Sequence, residues 1–201
     1  MKKVLLLGLI FVSLALALTD EEIKEAYHKS YNYEKIGDYR NAIKAMMPIF
    51  KEYPDGYTVN LRLGWLYYLN ENYANSIEHY QKAMVKAPYS LEAKLGYTLP
   101  LLAQGKFEQV EAETYQILNI DYYNYYGNLR LAYVLRMQGK LEMAEKVALK
   151  MLTAYPTDVS FLTEYALIKF AQGEKETALK TFMDVLILDP ENVTAKEYLK
   201  K

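Results

Sequence analysis

An eight-residue segment recurs five times in this chain, each copy beginning 34 residues after the last. The copies are IGDYRNAI at 36–43, NENYANSI at 70–77, QGKFEQVE at 104–111, QGKLEMAE at 138–145 and QGEKETAL at 172–179. Prolines keep the same interval at Pro54, Pro88, Pro156 and Pro190, and the third unit has Tyr122 at that position. An uninterrupted period of this length is typical of stacked units that are each too small to bury a core alone.

Each unit has the pattern of two helices joined by a tight turn. Apolar residues recur at spacings of three and four rather than two, which indicates helices and not strands. Gly37, Gly105, Gly139 and Gly173 stand between the two helical stretches, where a left-handed residue ends a helix. Thr19 and Glu22 fit a capping box at the start of the first helix. The sequence therefore predicts an all-α fold.

These features resemble the tetratricopeptide repeat family. The resemblance rests on the GDYRNAI turn, the LGWLYY segment Leu63–Tyr68 and the DP or YP unit endings. It implies a right-handed α-solenoid of five antiparallel helix pairs with a concave groove. The five predicted units are residues 23–56, 57–90, 91–124, 125–158 and 159–192, within a repeat domain at 18–192. Residues 193–201 begin a sixth first helix, and Lys196 and Lys200 indicate that it is a solvated C-terminal capping helix.

The first 17 residues are predicted to be a signal peptide. Two lysines precede an apolar run that ends in Ala15-Leu16-Ala17, a pattern typical of a secretory leader cut after Ala17. The apolar run is shorter than the roughly 20 residues of a membrane-spanning helix, so an uncleaved anchor is the less favoured alternative. We therefore expect an exported protein, periplasmic or extracellular, with a bacterial periplasm favoured. The chain contains no cysteine, so its stability comes from packing and not from disulfides.

Composition and motifs argue against catalysis and against nucleic-acid binding. The formal net charge is −1, so no basic excess favours a nucleic acid. The only histidines, His28 and His79, lie in different units and are interpreted as surface or packing residues. No nucleophile elbow, phosphate loop or metal-ligand spacing appears. We predict a protein that is not an enzyme and that has no cofactor and no metal site.

A second stripe of large side chains follows the first helices, well around from the core stripe. In the resembled family these columns face the concave surface and contact bound peptides. The predicted groove residues are Tyr27, Tyr31, Leu61, Trp65, Tyr68, Leu95, Leu99, Leu102, Leu129, Tyr133, Arg136, Leu167 and Phe170, with Tyr123 and Tyr126 beside them. So large an apolar surface exceeds what a soluble monomer usually exposes, which favours a partner. Arg136 is expected to fix a carboxylate or carbonyl of that partner.

The stretch NIDYYNYYGN at 119–128 concentrates four tyrosines in five positions. Tyr123 and Tyr126 flank the predicted groove where units three and four meet, and rings with polar tips suit recognition. Tyr122 and Tyr125 leave two interpretations open. They either extend the wall of the groove or fill the space left by the missing proline.

Three functions remain open from the sequence. The first is an exported scaffold whose groove holds an apolar or aromatic segment of another polypeptide, in the assembly of the cell envelope or of secretion machinery. The alternative is a soluble carrier that holds a lipid or small hydrophobic ligand in the same groove. A self-assembling structural protein is the third. The predicted partners are another protein or the chain itself; membrane contact requires an uncleaved leader.

Overall fold

The structure is a computed structural model that describes residues 17–200. These residues form eleven helices joined by short turns. The helices are α1 (Asp20–Lys35), α2 (Tyr39–Glu52), α3 (Tyr57–Leu69), α4 (Tyr73–Lys86), α5 (Leu91–Ala103), α6 (Phe107–Ile120), α7 (Tyr125–Met137), α8 (Leu141–Ala154), α9 (Val159–Ala171), α10 (Lys175–Leu188) and α11 (Val193–Tyr198). Each helix packs against the next. The predicted all-α solenoid of paired helices is confirmed. Apart from Ala17, the predicted signal peptide lies outside the described residues.

Side chains that cap backbone N–H groups mark the start of several helices, beginning with the cap of α1 that the sequence predicts. The Thr19 hydroxyl accepts from the Glu22 backbone N–H at 3.3 Å, and the Glu22 carboxylate accepts from the Thr19 N–H at 2.8 Å. This reciprocal pair is the predicted capping box, and it satisfies two otherwise unpaired donors. Asn or Asp side chains cap α7 and α9 in the same way through Asn124 and Asp158.

The turn inside each unit uses a left-handed residue. The four predicted glycines have φ between 66° and 86°. In the second unit the same position is Glu71, with φ 58°, the one described non-glycine residue with positive φ. A side chain in this conformation costs about 1–2 kcal/mol, so the array tolerates one strained turn.

The core forms three clusters along the array. The first, between α1, α2 and α3, is centred on Met46 and Leu63, and the middle one contains Leu101 and Leu135. The last packs Phe182 and its neighbours against α11. The first two clusters span neighbouring units, and the last joins the fifth unit to the capping helix, so no unit has a core of its own. The first helices of successive units line one face, and the candidate site lies there.

Candidate functional site

The predicted groove residues lie on the first helices, except Tyr123, which lies in the turn before α7. None of them belongs to the fully buried set, and Tyr31, Tyr123 and Tyr126 are 48%, 53% and 58% exposed. The stripe is therefore a surface with large side chains, as the spacing predicts. Two cavities interrupt it, one toward each end of the array.

The N-terminal cavity, of about 620 Å³, opens between α1 and α3. Four predicted residues line it, namely Tyr27, Tyr31, Leu61 and Trp65. The others are Glu34, Tyr57, Thr58, Arg62 and Glu92, of which Tyr57, Thr58 and Glu92 do not follow from the spacing of the stripe. The rings come from two neighbouring units, so only stacking creates this cavity. It is an apolar pocket with charged groups on one wall.

An ion pair between units builds that wall. Arg62 is buried, pairs with Glu34, and donates from Nε and Nη2 to the Ser30 hydroxyl at 3.2 and 3.0 Å. The other oxygen of Glu34 accepts from Trp65 Nε1 at 2.7 Å. The Arg62 guanidinium also lies over the Tyr31 ring, 3.8 Å from its centroid. Glu34 therefore orients Trp65 and neutralises Arg62, so both rings are held in place before any ligand arrives.

The C-terminal cavity, of about 670 Å³, opens between α7 and α9. Leu102, Leu129 and Tyr133 are the predicted residues that line it, and Arg130, Thr163, Glu164, Asp189 and Asn192 are among the others. The Thr163 hydroxyl is buried and has no hydrogen-bond partner among the described residues.

The two cavities are equivalent positions of the array, three units or 102 residues apart. The corresponding lining residues are Tyr27 and Leu129, Tyr31 and Tyr133, Thr58 and Ser160, Leu61 and Thr163, and Arg62 and Glu164. Glu34 corresponds to Arg136, so the second ion pair has its charges exchanged. Arg136 Nε and Nη2 donate to Glu164 at 2.6 and 3.2 Å. Each pair joins opposite charges 28 residues apart, a sequence signal that could have revealed both.

In the structure Arg136 already has a carboxylate partner within the chain. Two of its donor nitrogens already hold Glu164, whose side chain is 8% exposed. An arginine paired in this way stabilises the contact between units and is not left free for the carboxylate of a partner. The spacing of the stripe could not reveal this, because Glu164 lies in the next unit.

Part of the chain matches a known protein family. The family model for the tetratricopeptide repeat matches residues 29–90, which contain the C-terminal part of α1 and all of α2, α3 and α4. The same helix pair continues through α10 at the same interval.

The repeats of this chain are similar to the tetratricopeptide repeat.

Solved structures with this fold cover most of the chain. A crystal structure of MamA protein is 18% identical with a TM-score of 0.74, covering 86% of this chain and 94% of its own. YrrB, described as a TPR protein with an unusual peptide-binding site, is 11% identical with a TM-score of 0.73, covering 90% and 94%. TTC0263, a thermophilic TPR protein of Thermus thermophilus, is 14% identical with a TM-score of 0.67, covering 88% and 97%. At these identities the likeness concerns the fold. Comparison with curated protein sequences found no match.

The tyrosine stretch at 119–128 divides into packing and surface residues. The Tyr125 ring meets Phe161 of the next unit edge-on at 5.3 Å, and its hydroxyl donates to Asp158 at 3.2 Å. Tyr122 is 60% exposed, and Lys150 Nζ lies 3.9 Å from its ring centroid. Of the two open interpretations, packing holds for Tyr125, whereas Tyr122 stays at the surface beside Tyr123.

The remaining predicted residues lie outside both cavities. Tyr68 contacts the Trp65 ring at 5.6 Å, and Leu95 and Leu99 lie on α5 between the cavities. Leu167 and Phe170 pack against the last core cluster and α11, so the capping helix takes up part of the stripe there. The structure therefore gathers seven predicted residues into two cavities and leaves the others beside them.

The potential metal ligands of the described residues do not gather into one cluster. Residues 17–200 contain no group of three or more potential metal ligands. His79 is buried against Tyr67 and Phe50, and burial, followed by the nearby Lys82 charge, lowers its pKa to about 4. His28 is exposed on α1. Across these same residues, every helix is too short or too polar to span a bilayer.

Proposed function

We propose that this protein is a non-enzymatic interaction scaffold whose first-helix groove holds an extended segment of another polypeptide. The observation that carries the proposal is the presence of two equivalent apolar cavities on one face, three units apart. The tetratricopeptide fold supports a protein partner, and YrrB, which shares it, is described as having a peptide-binding site.

The spacing of the cavities favours a chain-like ligand. Neighbouring packed helices lie about 8–10 Å apart, so three units place the cavities roughly 25–30 Å from each other. An extended polypeptide rises about 3.3 Å per residue and covers this distance with about eight or nine residues. One segment can thus place an apolar side chain in each cavity.

The rigidity of the walls supports tight binding of such a segment. Trp65 is fixed by its hydrogen bond to Glu34, and Tyr133 meets the Phe107 ring edge-on at 6.1 Å. Aromatic rings that are already ordered lose little conformational entropy when a partner arrives. The carrier alternative fits less well, because carriers enclose most of their ligand and Tyr31 and Tyr133 remain 48% and 36% exposed.

Export remains part of the proposal. Residues 1–17 have the composition of a signal peptide, and a periplasmic scaffold would act in the assembly of the cell envelope or of secretion machinery. Cell fractionation and N-terminal sequencing of the purified protein test this. A mature chain that begins at Leu18 supports export with cleavage, and a chain retained in the cytoplasm contradicts it.

Photo-crosslinking in the native cell tests the groove. A photoreactive side chain replaces Trp65, and Tyr115, which lies on a second helix and is 40% exposed, serves as the matched control position. We expect position 65 to give a polypeptide adduct, identified by mass spectrometry, that position 115 does not give. Adducts to lipid alone, or identical adducts at both positions, would contradict the proposal.

Titration with the captured segment then measures the anchors. Trp65→Ala and Tyr133→Ala should each weaken binding by about 2 kcal/mol, because central aromatic anchors dominate the affinity of such surfaces. Tyr115→Ala should leave the affinity unchanged. Near-native affinity for both groove variants would show that the segment binds elsewhere.

A further inference from the structure

A four-residue sequence occurs twice on the groove side of the array. Asn-Leu-Arg-Leu stands at 60–63 in α3 and again at 128–131 in α7, two units or 68 residues later. Its arginines make matching contacts with the preceding first helix. Arg62 donates to the Ser30 hydroxyl, and Arg130 donates from Nη1 to the Thr98 hydroxyl at 2.5 Å.

The two arginines differ in their counter-charge. Glu34 neutralises Arg62, and the residue 68 positions after Glu34 is Leu102. Arg130 also donates from Nη1 to the Leu95 carbonyl at 2.5 Å, and it forms no ion pair with any residue in 17–200. Arg62 is therefore paired with a carboxylate of this chain, whereas Arg130 has no such carboxylate among the described residues.

The carboxylates that share the C-terminal cavity with Arg130 are engaged elsewhere. Glu164 accepts both hydrogen bonds of Arg136. Asp189 accepts from the side chain of Asn192 at 3.2 Å and from the Glu191 backbone N–H at 3.2 Å. Neither of them takes the place that Glu34 holds beside Arg62.

The surroundings of the Arg130 guanidinium favour the binding of a carboxylate. Its guanidinium carbon lies 5.8 Å from the Tyr126 ring centroid, and burial lowers its pKa. A partly desolvated guanidinium gains more from a carboxylate than an exposed one does, because little water competes for its N–H groups. Both of its hydrogen bonds within the described residues use Nη1, so Nε and Nη2 have no hydrogen-bond acceptor among these residues.

We propose that Arg130 receives the carboxylate of an Asp or Glu side chain from the extended segment bound in the groove. This inference rests on the proposed function. Leu129, Tyr133 and Leu102 line the same cavity, so the acidic residue stands next to an apolar one in the ligand. In the N-terminal cavity Arg62 is already neutralised by Glu34, so no carboxylate of the segment is needed beside it. The groove thus recognises a charged side chain in the C-terminal cavity and an apolar side chain in the N-terminal cavity.

The ligand preference is tested by selecting a library of random 12-residue peptides, with both ends of each peptide fused or blocked, on the full chain. We expect the selected peptides to share an Asp or Glu adjacent to an aromatic or aliphatic residue. Replacing that acidic residue with its amide should weaken binding about tenfold or more. Selected peptides that lack a common acidic position overturn the inference and leave the proposed function standing. A library that yields no binding peptide overturns both.

A pair of variants at Leu102 separates charge from shape. Leu102→Glu recreates the arrangement of Glu34 and Arg62, so the chain itself supplies the missing carboxylate. Leu102→Gln has nearly the same size without the charge. We expect the Glu variant to bind a selected acidic peptide about tenfold more weakly than the Gln variant does. In the Glu variant, replacing the peptide's acidic residue with its amide should cost nothing further.

Two controls complete the experiment. Urea unfolding of both variants should show that Leu102→Glu is folded and at least as stable as Leu102→Gln, since it gains an ion pair with Arg130. A synthetic peptide with an acetylated N-terminus and an amidated C-terminus should bind like its free form, which establishes a side-chain carboxylate as the source. Equal affinities for the two variants, or binding that requires a free C-terminus, would overturn the inference.

Discussion

At the scale of single residues, His79 illustrates how burial determines the role of a titratable group. The Asn60 amide donates to the Pro54 and Gly56 carbonyls, both at 2.8 Å, so its oxygen faces His79. His79 Nδ1 must therefore carry the proton that it shares with that oxygen at 2.8 Å. The imidazole ring of His79 also stacks on the Tyr67 ring with an interplanar angle of 8°. His79 is a neutral packing residue.

The lowered pKa of His79 predicts a pH dependence of stability. Above its ordinary value of 6.5 the ring is neutral in both states, and the folded state keeps it neutral down to about 4. Between these values the unfolded chain binds a proton that the folded chain does not, so stability falls with falling pH. His79 should account for about 2 kcal/mol of lost free energy of unfolding between pH 7 and pH 5.

Urea unfolding at both pH values, with His79→Phe for comparison, measures this contribution. The variant keeps an aromatic ring and lacks the titrating group, so it should lose less stability between pH 7 and pH 5 than the native chain. An identical loss in both proteins would mean that His79 takes up protons equally well in the folded and unfolded states.

Glu71 is the second residue whose surroundings predict a measurable effect. It adopts φ 58° where the other four units have glycine. Glu71→Gly should raise the free energy of unfolding by about 0.5–1 kcal/mol, since relief of backbone strain exceeds the entropy that glycine adds to the unfolded chain. Gly139→Ala should lower it by about 1 kcal/mol, because nothing lies within 4 Å of the added Cβ and only φ is at stake. Thermal unfolding that shows the same direction for both would contradict this account.

At the scale of helices, the packing of α4 explains an irregularity of α5. The Tyr80 ring lies against Gly64 of α3 and Gly96 of α5, with 3% of the residue exposed. Helix α5 continues to Ala103 although Pro100, which has no backbone N–H to donate, lies within it. Gly96 is thus required by the approach of a neighbouring ring, which the sequence pattern of α5 alone does not reveal.

Gly96→Ala should therefore be costly despite the better helix propensity of alanine. An ideal Cβ would lie 2.2 Å from Tyr80 Cε1, whereas at Gly64 the nearest ring atom is 2.9 Å away. We expect Gly96→Ala to lower the free energy of unfolding by about 2 kcal/mol and Gly64→Ala to lower it by less. Combining Gly96→Ala with Tyr80→Leu should recover part of the loss in urea unfolding. A stabilised Gly96→Ala would show that the Tyr80 ring moves away freely.

At the scale of the whole molecule, stability depends on contacts between units. The ion pairs of Arg62 and Arg136 each join two units, and the first two core clusters are shared between neighbouring units. The last unit has no successor, and α11 covers it instead. The Tyr198 ring lies 4.9 Å from Phe170 and 5.1 Å from Phe182. The end of the array is thus closed by one short helix.

Removing the ring that closes the array should weaken it as a whole. Tyr198→Ala should lower the free energy of unfolding by about 2–3 kcal/mol, because a ring packed on two others is lost and leaves a cavity beside Phe182. Lys200→Ala, at an exposed position of the same segment, should leave stability within about 0.5 kcal/mol of the native value. Equal unfolding midpoints for the two variants would mean that residues 193–201 do not cap the array.

Much of the fold follows from the sequence alone because its determinants are local and repeated. The turn glycines, the Thr19 capping box and the apolar spacing each act within a few residues, and five repetitions at 34 residues make the pattern unmistakable. The stripe of groove residues follows from helical geometry for the same reason. Its role in binding, the signal peptide and export stay predictions.

Only the tertiary structure decided which side chains meet across the units. Arg136 lies in the predicted stripe, yet its partner Glu164 comes from the following helix pair. Gly96 is required because the Tyr80 ring of α4 packs directly against it. Arg130 lacks the carboxylate that its counterpart Arg62 possesses. Such contacts join residues 16 to 35 positions apart, and their distances depend on how the units stack. Periodicity places a side chain on a face, and packing between units determines what it touches there.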